Sequence, residues 1–158
     1  MNKRTKSQPK QTAAGRKRIP LEQETYLELA RVADLLLGEC SQLFKEYDLS
    51  APGYNVLRIL RGARPGGLPC REIAARMINR DPDITRLADR LEKLGLVRRE
   101  RAVEDRRVVN IHVTDAGLER IDTLDAPLTE LHQRQFDHMK KEELTHLKQL
   151  LERIYERQ

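Results

Sequence analysis

The sequence predicts a mainly α-helical protein with one small antiparallel β hairpin. Three observations support this fold class. Apolar residues recur at helical spacing through most of the chain after residue 20, whereas one short segment alternates apolar and polar residues as a strand does. Aromatic residues make up only 4% of the 158 residues, so the core must consist mainly of Leu, Ile, Val and Ala. A chain of this length suits one compact domain or two closely joined lobes.

Residues 1–20 form a polar, basic amino-terminal segment with almost nothing to bury, and we expect a disordered tail there. The tail holds seven of the 30 basic residues, so the rest of the chain has 23 basic against 25 acidic residues. The net charge of +5 therefore originates in the tail and is no evidence about the folded part. The tail is either a basic arm that contacts phosphate groups or a solubilising leader, and both interpretations remain open.

The first helix is predicted from about Leu21 to Tyr47. Its main apolar seam repeats at alternating steps of three and four, which is heptad spacing. The seam consists of Tyr26, Leu29, Ala33, Leu36, Cys40, Leu43 and Tyr47. Because Leu35, Leu37 and Phe44 widen this stripe, we expect the helix to pack against more than one element.

A second and a third helix are predicted before residue 80. Ser50 can cap the second, because its hydroxyl can accept a hydrogen bond from an amide of the first turn. Residues 62–69 are rich in Gly and Pro and predict a turn-rich connection. In the short third helix, Ala74 and Ala75 would allow another helix to approach closely. Residues 78–80 are then the predicted turn into the next helix.

A basic amphipathic helix is predicted next. Asp81 can cap it, and Pro82 suits its first turn because proline has no amide to leave unpaired. One face is predicted to be buried and carries Ile84, Leu87, Leu91 and Leu94. The other is predicted to be exposed and carries Thr85, Arg86, Asp89, Arg90 and Lys93. Gly95 is expected to end the helix.

An arginine-rich hairpin follows this helix directly. Its second strand is the clearer one, because apolar Val109, Ile111 and Val113 alternate with polar residues. The tip, residues 101–107, is polar, and arginines outnumber acidic residues across the hairpin. A helix followed by a basic two-stranded wing predicts a winged helix-turn-helix. In that fold the helix enters the major groove of duplex DNA and the wing reaches the neighbouring backbone or minor groove.

Two further helices are predicted after the wing. Thr114 can cap the first, and Pro127 is expected to kink or locally break it. The second begins near Lys140 or Glu142. Their apolar stripes are Leu118, Ile121, Leu124, Leu128 and Leu131, and then Leu144, Leu147, Leu150, Leu151, Ile154 and Tyr155. These helices and the first one have more apolar surface than so small a head can cover, which favours a homodimer.

From about Leu21 to its end, the chain resembles the MarR family of transcriptional regulators, named for regulators of multiple antibiotic resistance. The most specific match is a wing signature of Asp, one residue, Arg, five residues, an aliphatic residue and Thr. Here it reads Asp105, Arg107, Val113 and Thr114, with Val113 where Leu is more usual. The segments IAARM, DITRLADRLEKLGLVRRE and TDAGL are also similar to members of the family.

The resemblance implies that residues 21–158 form a single MarR-like domain and that two chains form a homodimer. Residues 21–47 and 115–158 would be the dimerisation helices, and residues 50–114 the winged helix-turn-helix head. The two recognition helices would enter successive major grooves of a palindromic operator. Family members typically repress transcription, and many are released when a small aromatic or phenolic effector binds between the two lobes. By the same resemblance, Arg107 matches the wing arginine that enters the minor groove, and Asp105 helps to hold it.

The residues predicted to bind DNA lie on the polar face of the basic helix and in the wing. They are Thr85, Arg86, Arg90, Arg98, Arg99, Asp105, Arg106 and Arg107. Arg86 is the strongest candidate for a base contact, because arginine can donate to two guanine acceptors. Arg98 and Arg99 fit backbone contacts and strand-surface charges equally well. Candidate polar groups of an effector pocket are Tyr26, Tyr47, Tyr54 and His132, although ordinary core packing explains them equally well.

Other functions have less support in the sequence. It contains no glycine-rich phosphate loop or paired catalytic carboxylates, so we expect no enzyme and no cofactor. The four histidines lack ligand spacing, which argues against a metal site. Cys40 is expected to be a buried, inert thiol, whereas redox sensing stays open for Cys70. With no apolar segment long enough to span a bilayer, a cytoplasmic protein is expected. The alternative function is a winged-helix module for protein interaction or for non-specific architectural DNA binding.

Overall fold

A computed structural model describes residues 19–78, 83–102 and 105–157. Over these ranges the protein is mainly α-helical with one small antiparallel sheet, which confirms the predicted fold class. The helices are α1 (Leu21–Glu46), α2 (Ala51–Gly62), α3 (Cys70–Arg76), α4 (Ile84–Lys93), α5 (Asp115–Gln135) and α6 (Lys141–Tyr155). The strands are β1 (Leu68–Pro69), β2 (Val97–Arg101) and β3 (Val109–Val113). Most of the predicted basic tail lies outside the described residues.

The chain forms two compact units, one ending at Asp34 and one beginning at Leu35. In the first unit, the described residues 19–34 include exposed apolar side chains such as Leu21 and Tyr26. An ion pair of 2.8 Å joins Arg31 to Glu28 on the same helical face. The second unit contains the remaining elements and a continuous apolar core.

The core of the second unit lies where α2, α4, β3 and α5 meet. Its largest fully buried side chains are Leu57, Leu60, Ile73, Leu91, Ile111, Ile121, Leu124 and Val56. All of them are aliphatic, as the low aromatic content of the sequence predicts. Because α2 and α5 both contribute to this core, the head and the first carboxy-terminal helix are packed together as one body.

Three helix starts are fixed by oxygen acceptors. The hydroxyl of Ser50 accepts from the amide of Gly53 at 3.2 Å, and the hydroxyl of Thr114 accepts from the amide of Gly117 at 3.1 Å. Both caps confirm the sequence prediction. For α4, the carboxylate of Asp83 accepts from the amide of Arg86 at 3.2 Å. Asp83 is thus the cap that the structure shows, whereas Asp81 and Pro82 lie outside the described residues.

The sheet has a strand that the sequence analysis did not predict. Leu68 pairs with Ile111 and Pro69 pairs with Asn110, so β1 is an antiparallel edge strand in the order β1-β3-β2. We predicted only a turn-rich connection here. Two residues are too few to show a strand alternation, and a proline in a strand is compatible only with an edge.

The sequence predicted a kink or a local break in α5 at Pro127. The helix α5 continues from Asp115 to Gln135 without a break at Pro127, because Leu124 and Leu131 are buried on either side of it and hold both halves in place. Leu94 was expected in the buried stripe of α4, yet it is 51% exposed. The helix ends at Lys93 and the chain turns at Gly95, whose φ is +71°, so Leu94 leaves the helical stripe.

Candidate nucleic-acid interface

The recognition helix α4 is anchored through one face and exposed on the other. Ile84 and Leu91 are buried, and Ala88 is completely inaccessible. Ala88 was missed in the sequence analysis because a single alanine in a helix carries little hydrophobic signal. Thr85, Arg86 and Arg90, which were predicted to bind DNA, are all exposed. Their role in DNA binding remains a prediction, but the structure leaves all three side chains accessible.

Arg86 contacts Asp83 through one guanidinium nitrogen, and most of its side chain remains exposed. Its Nε atom lies 3.3 Å from Oδ2 of Asp83, while its side chain remains 88% exposed. The same aspartate caps the helix through its other oxygen. Asp83 therefore restricts the rotamers of Arg86 without covering the guanidinium, and the remaining donors are available for an acceptor pair such as that of guanine.

The wing tip is shaped by Asp105. Its carboxylate oxygen accepts from the backbone amide of Arg107 at 2.9 Å, and its carbonyl oxygen accepts from the amide of Val108 at 2.9 Å. Both bonds fix the turn. The resemblance implied that Asp105 helps to hold Arg107, and this role in DNA binding stays a prediction. The contact that the structure shows joins Asp105 to the backbone amide of Arg107. The side chains of Arg106 and Arg107 are exposed. Val103 and Glu104, which belong to the tip, lie outside the described residues.

The two adjacent arginines of β2 have different environments. Arg98 points outward, is 56% exposed and forms an ion pair with Glu100 of the same strand. Arg99 points towards α4, is 29% exposed and contacts Asp89 and Glu92. Arg99 is therefore the less accessible of the two for a phosphate contact. The sequence could not distinguish them, because the direction of each side chain depends on how β2 packs against α4.

An apolar cavity of about 240 Å³ lies beside the winged head. It is lined by Leu37, Cys40, Phe44, Ala51, Pro52, Tyr54, Asn55, Arg58, Met77, Ile78, Leu128 and His132. Two of the four predicted pocket residues, Tyr54 and His132, are in this lining. Tyr54 also stacks on Phe44 with the ring centroids 4.5 Å apart. Tyr47 is not in the lining, and Tyr26 is an exposed residue of the first unit.

Burial changes the acid–base properties of two groups in this cavity. It raises the pKa of the Tyr54 hydroxyl, and the negative charge of Asp125 raises it further. Burial also raises the pKa of the Cys40 thiol. Both groups are therefore neutral near pH 7. Tyr54 can donate a hydrogen bond there, and Cys40 lacks the thiolate character that a reactive thiol needs.

A larger cavity of about 750 Å³ lies where the end of α1, the start of α2, the end of α4 and the start of α5 come together. Its charged lining residues are Lys45, Asp48, Arg90 and Arg120. Arg120 also donates to the carbonyl oxygen of Tyr47 at 2.5 Å, which ties α5 to the end of α1. This cavity could not be predicted from the sequence, because its lining comes from four segments that are far apart in the chain.

The described residues contain no group of three or more His, Cys, Asp and Glu side chains placed to hold a metal ion. Cys70 is half-buried at the start of α3. None of the helices over the described ranges has the length and apolar character needed to cross a bilayer.

The chain matches known transcriptional regulators. The MarR family model matches residues 49–109. The HTH-type transcriptional regulator PecS of Dickeya dadantii is 37% identical over 128 residues, which cover 80% of this chain and 76% of PecS. The HTH-type transcriptional repressor IacR of Pseudomonas putida is 31% identical over 127 residues, covering 80% and 75% of the two chains.

Solved structures of transcriptional regulators are also similar to this chain. A MarR transcription factor from Planctomyces limnophilus shares 43% identity with a TM-score of 0.66, and the match covers 86% of this chain and 98% of that one. CouR from Rhodococcus jostii RHA1, solved with p-coumaroyl-CoA bound, shares 28% identity with a TM-score of 0.69. That match covers 85% of this chain and 94% of CouR.

Proposed function

The chain belongs to the MarR family of transcriptional regulators, and from this premise we propose that it is a repressor that binds a palindromic DNA operator as a homodimer. The family consists of transcription regulators, not enzymes. The observation that carries the proposal is the exposed polar face of α4 beside an exposed arginine wing tip. Repression is supported by the resemblance to IacR, a relative named as a repressor.

The two DNA-contacting elements suit different parts of the duplex. An exposed helix with Thr85 and Arg86 near its start can enter the major groove and contact base edges. Arg107, at the end of a short hairpin, can reach a narrow minor groove, where the negative potential is concentrated. Together they would contact one half-site of an operator.

The homodimer is supported by an apolar stripe on α6. Leu150, Leu151 and Ile154 are 40%, 42% and 50% exposed, and Tyr155 is 82% exposed. All four lie within two turns of one helix. Exposed apolar patches of this kind commonly mark a protein interface, and a second copy of the chain is the simplest partner because a two-fold axis buries the same stripe from both chains.

The proposal is tested by selecting bound fragments from random and genomic duplexes and measuring affinity for the recovered site and for scrambled DNA at physiological salt. We expect two protein chains per duplex, half-site centres about 34–36 Å apart, and at least about a thousandfold preference for the recovered site. Little discrimination would instead favour the alternative, a protein-interaction or architectural module.

Arg86→Ala should cost about 1–3 kcal/mol of binding free energy for each half-site of the selected duplex, because an arginine on a base edge contributes about that much. It should also relax the preference at one symmetric operator position, which repeating the selection with the variant would show. An unchanged base preference at every position would exclude Arg86 as a base-reading residue.

We further propose that a small aromatic or phenolic effector binds in the apolar cavity lined by Tyr54 and His132. The cavity volume of about 240 Å³ suits a compact ring. Most of the lining is apolar, and Tyr54 supplies a neutral hydroxyl while His132 supplies a ring nitrogen. Since the lining includes Ala51 and Tyr54 of α2 and Met77 beside α3, a ligand there would press on the helices that hold the head.

Tyr54→Phe should weaken binding of the effector without removing the cavity. For a phenolic compound that releases the protein from the selected duplex, we expect the half-effective concentration to rise roughly fivefold, as the loss of one hydrogen bond predicts. Tyr47→Phe is the matched control, because Tyr47 lies outside the cavity lining. Equal responses of the two variants would contradict this location for the effector.

A further inference from the structure

Arg99 connects the wing to the recognition helix through several contacts at once. Its Nη2 atom lies 2.5 Å from Oδ1 of Asp89, and its Nη1 atom lies 2.7 Å from Oε2 of Glu92. Its backbone amide donates to the other oxygen of Glu92 at 3.2 Å. Nη2 also lies 3.4 Å from the carbonyl oxygen of Thr85. One residue of β2 thus holds three positions spread over two turns of α4.

These contacts are better shielded than ordinary surface ion pairs. The side chain of Arg99 is 29% exposed, and those of Asp89 and Glu92 are 48% and 39% exposed. The hydrogen bond that Arg99 donates to Asp89 and the charge of Glu92 raise the pKa of Arg99, and the guanidinium is charged, as in any arginine. A planar guanidinium that binds two carboxylates fixes orientation as well as distance, which a lysine could not do.

The neighbouring Arg98 forms its ion pair within β2 and is a useful comparison for Arg99. It lies on the same strand with 56% of its side chain exposed, and it pairs only with Glu100 within β2 among the described residues. Removing Arg98 therefore deletes one positive charge but no ion pair between elements of the described chain. The two adjacent arginines form a natural pair of test and control.

Asp89 and Glu92 would be unfavourable near DNA without a partner. Both lie on α4, the helix proposed to enter the major groove, where carboxylates face phosphate groups. Arg99 offsets one of these two negative charges from the protein side. It also sets the position of α4 relative to β2, and hence the distance from Arg86 on the helix to the arginines of the wing.

We propose that Arg99 is a positioning residue, which fixes the recognition helix against the wing so that both engage DNA as one rigid unit, and that it does not itself contact DNA. This inference rests on the proposed function. It assigns Arg99 a different role from the backbone contact that the sequence also allowed. Base reading depends on the placement of α4, so losing Arg99 should reduce discrimination between DNA sequences more than it reduces phosphate binding.

The test compares Arg99→Gln with Arg98→Gln on the selected duplex and on scrambled DNA. For Arg99→Gln we expect at least about a tenfold loss on the selected duplex and a much smaller loss on scrambled DNA, so the specificity ratio falls. For Arg98→Gln we expect the ratio to be retained. An equal loss on both duplexes for Arg99→Gln would overturn the proposal, because a phosphate contact weakens all sequences alike.

Two more measurements separate this inference from the proposed function. Amide hydrogen exchange on the free, folded protein should be faster over residues 84–101 in Arg99→Gln and in Asp89→Asn than in wild type, and unchanged in Arg98→Gln. Unchanged exchange in Arg99→Gln and Asp89→Asn would also overturn the positioning role. If wild type itself fails to discriminate between duplexes, the proposed function fails, whereas the exchange data still decide whether Arg99 fixes α4.

Discussion

Arg107→Ala is expected to weaken binding to the selected duplex by about 100-fold while leaving the fold intact. The side chain of Arg107 is exposed, and the bond that shapes the turn is made by its backbone amide, which alanine retains. Nothing in the core is lost. The proposed dimer would insert two copies of this arginine, and a loss of about 1–3 kcal/mol for each contact would be doubled.

The measurement is the affinity for the selected duplex, together with the thermal unfolding temperature of the free protein. Lys148→Ala is a suitable control, because Lys148 is an exposed cation of α6 that pairs with Glu152 at 3.2 Å. It should leave affinity nearly unchanged. If Arg107→Ala bound the duplex as wild type does, the wing would not be the minor-groove element.

Gly117→Ala is expected to destabilise the protein by about 3 kcal/mol, which lies at the upper end of the range for overpacking. A Cβ atom on Gly117 would lie 2.2 Å from the carbonyl oxygen of Leu96 and 2.8 Å from a methyl carbon of Val113. The carbonyl oxygen cannot move aside, because it also accepts from the amide of Thr114 at 3.1 Å. The added methyl group must therefore push α5 away from the sheet.

Gly38→Ala provides the contrast. Gly38 lies within α1, with open space around the position of its missing Cβ atom. Alanine there should stabilise the helix by about 0.5–1 kcal/mol, because glycine has more freedom to lose on folding. Urea unfolding of both variants gives the comparison. Equal midpoints for Gly117→Ala and wild type would show that α5 does not approach Leu96 this closely.

The helices could be predicted largely because their signals are local. Heptad spacing located α1, and the hydroxyls of Ser50 and Thr114 marked the starts of α2 and α5 correctly. Local signals failed where the decisive partner lies in another element. The two-residue β1 exists only because β3 runs beside it, and the continuity of α5 through Pro127 depends on packing against the core.

The same contrast between local signals and distant partners applies to the candidate site. The exposed face of α4 follows from helical periodicity, so Arg86 could be proposed for DNA contact from the sequence alone. The environment of Arg99 could not, because it depends on which face of β2 packs against the helix. Only half of the predicted pocket residues line the apolar cavity. A tyrosine or histidine in an apolar stripe does not show which side of the helix faces a cavity.

The close contact at Gly117 has a mechanical consequence. The first turn of α5 is clamped to the end of the winged head, so the head cannot swivel on α5 and must follow its direction. A helix of 21 residues extends roughly 30 Å. A rotation of about 10° at its far end would then sweep the head through about 5 Å, which exceeds the rise of about 3.4 Å between neighbouring base pairs. A tilt this small would be enough to put the two heads of the proposed dimer out of register with the DNA grooves.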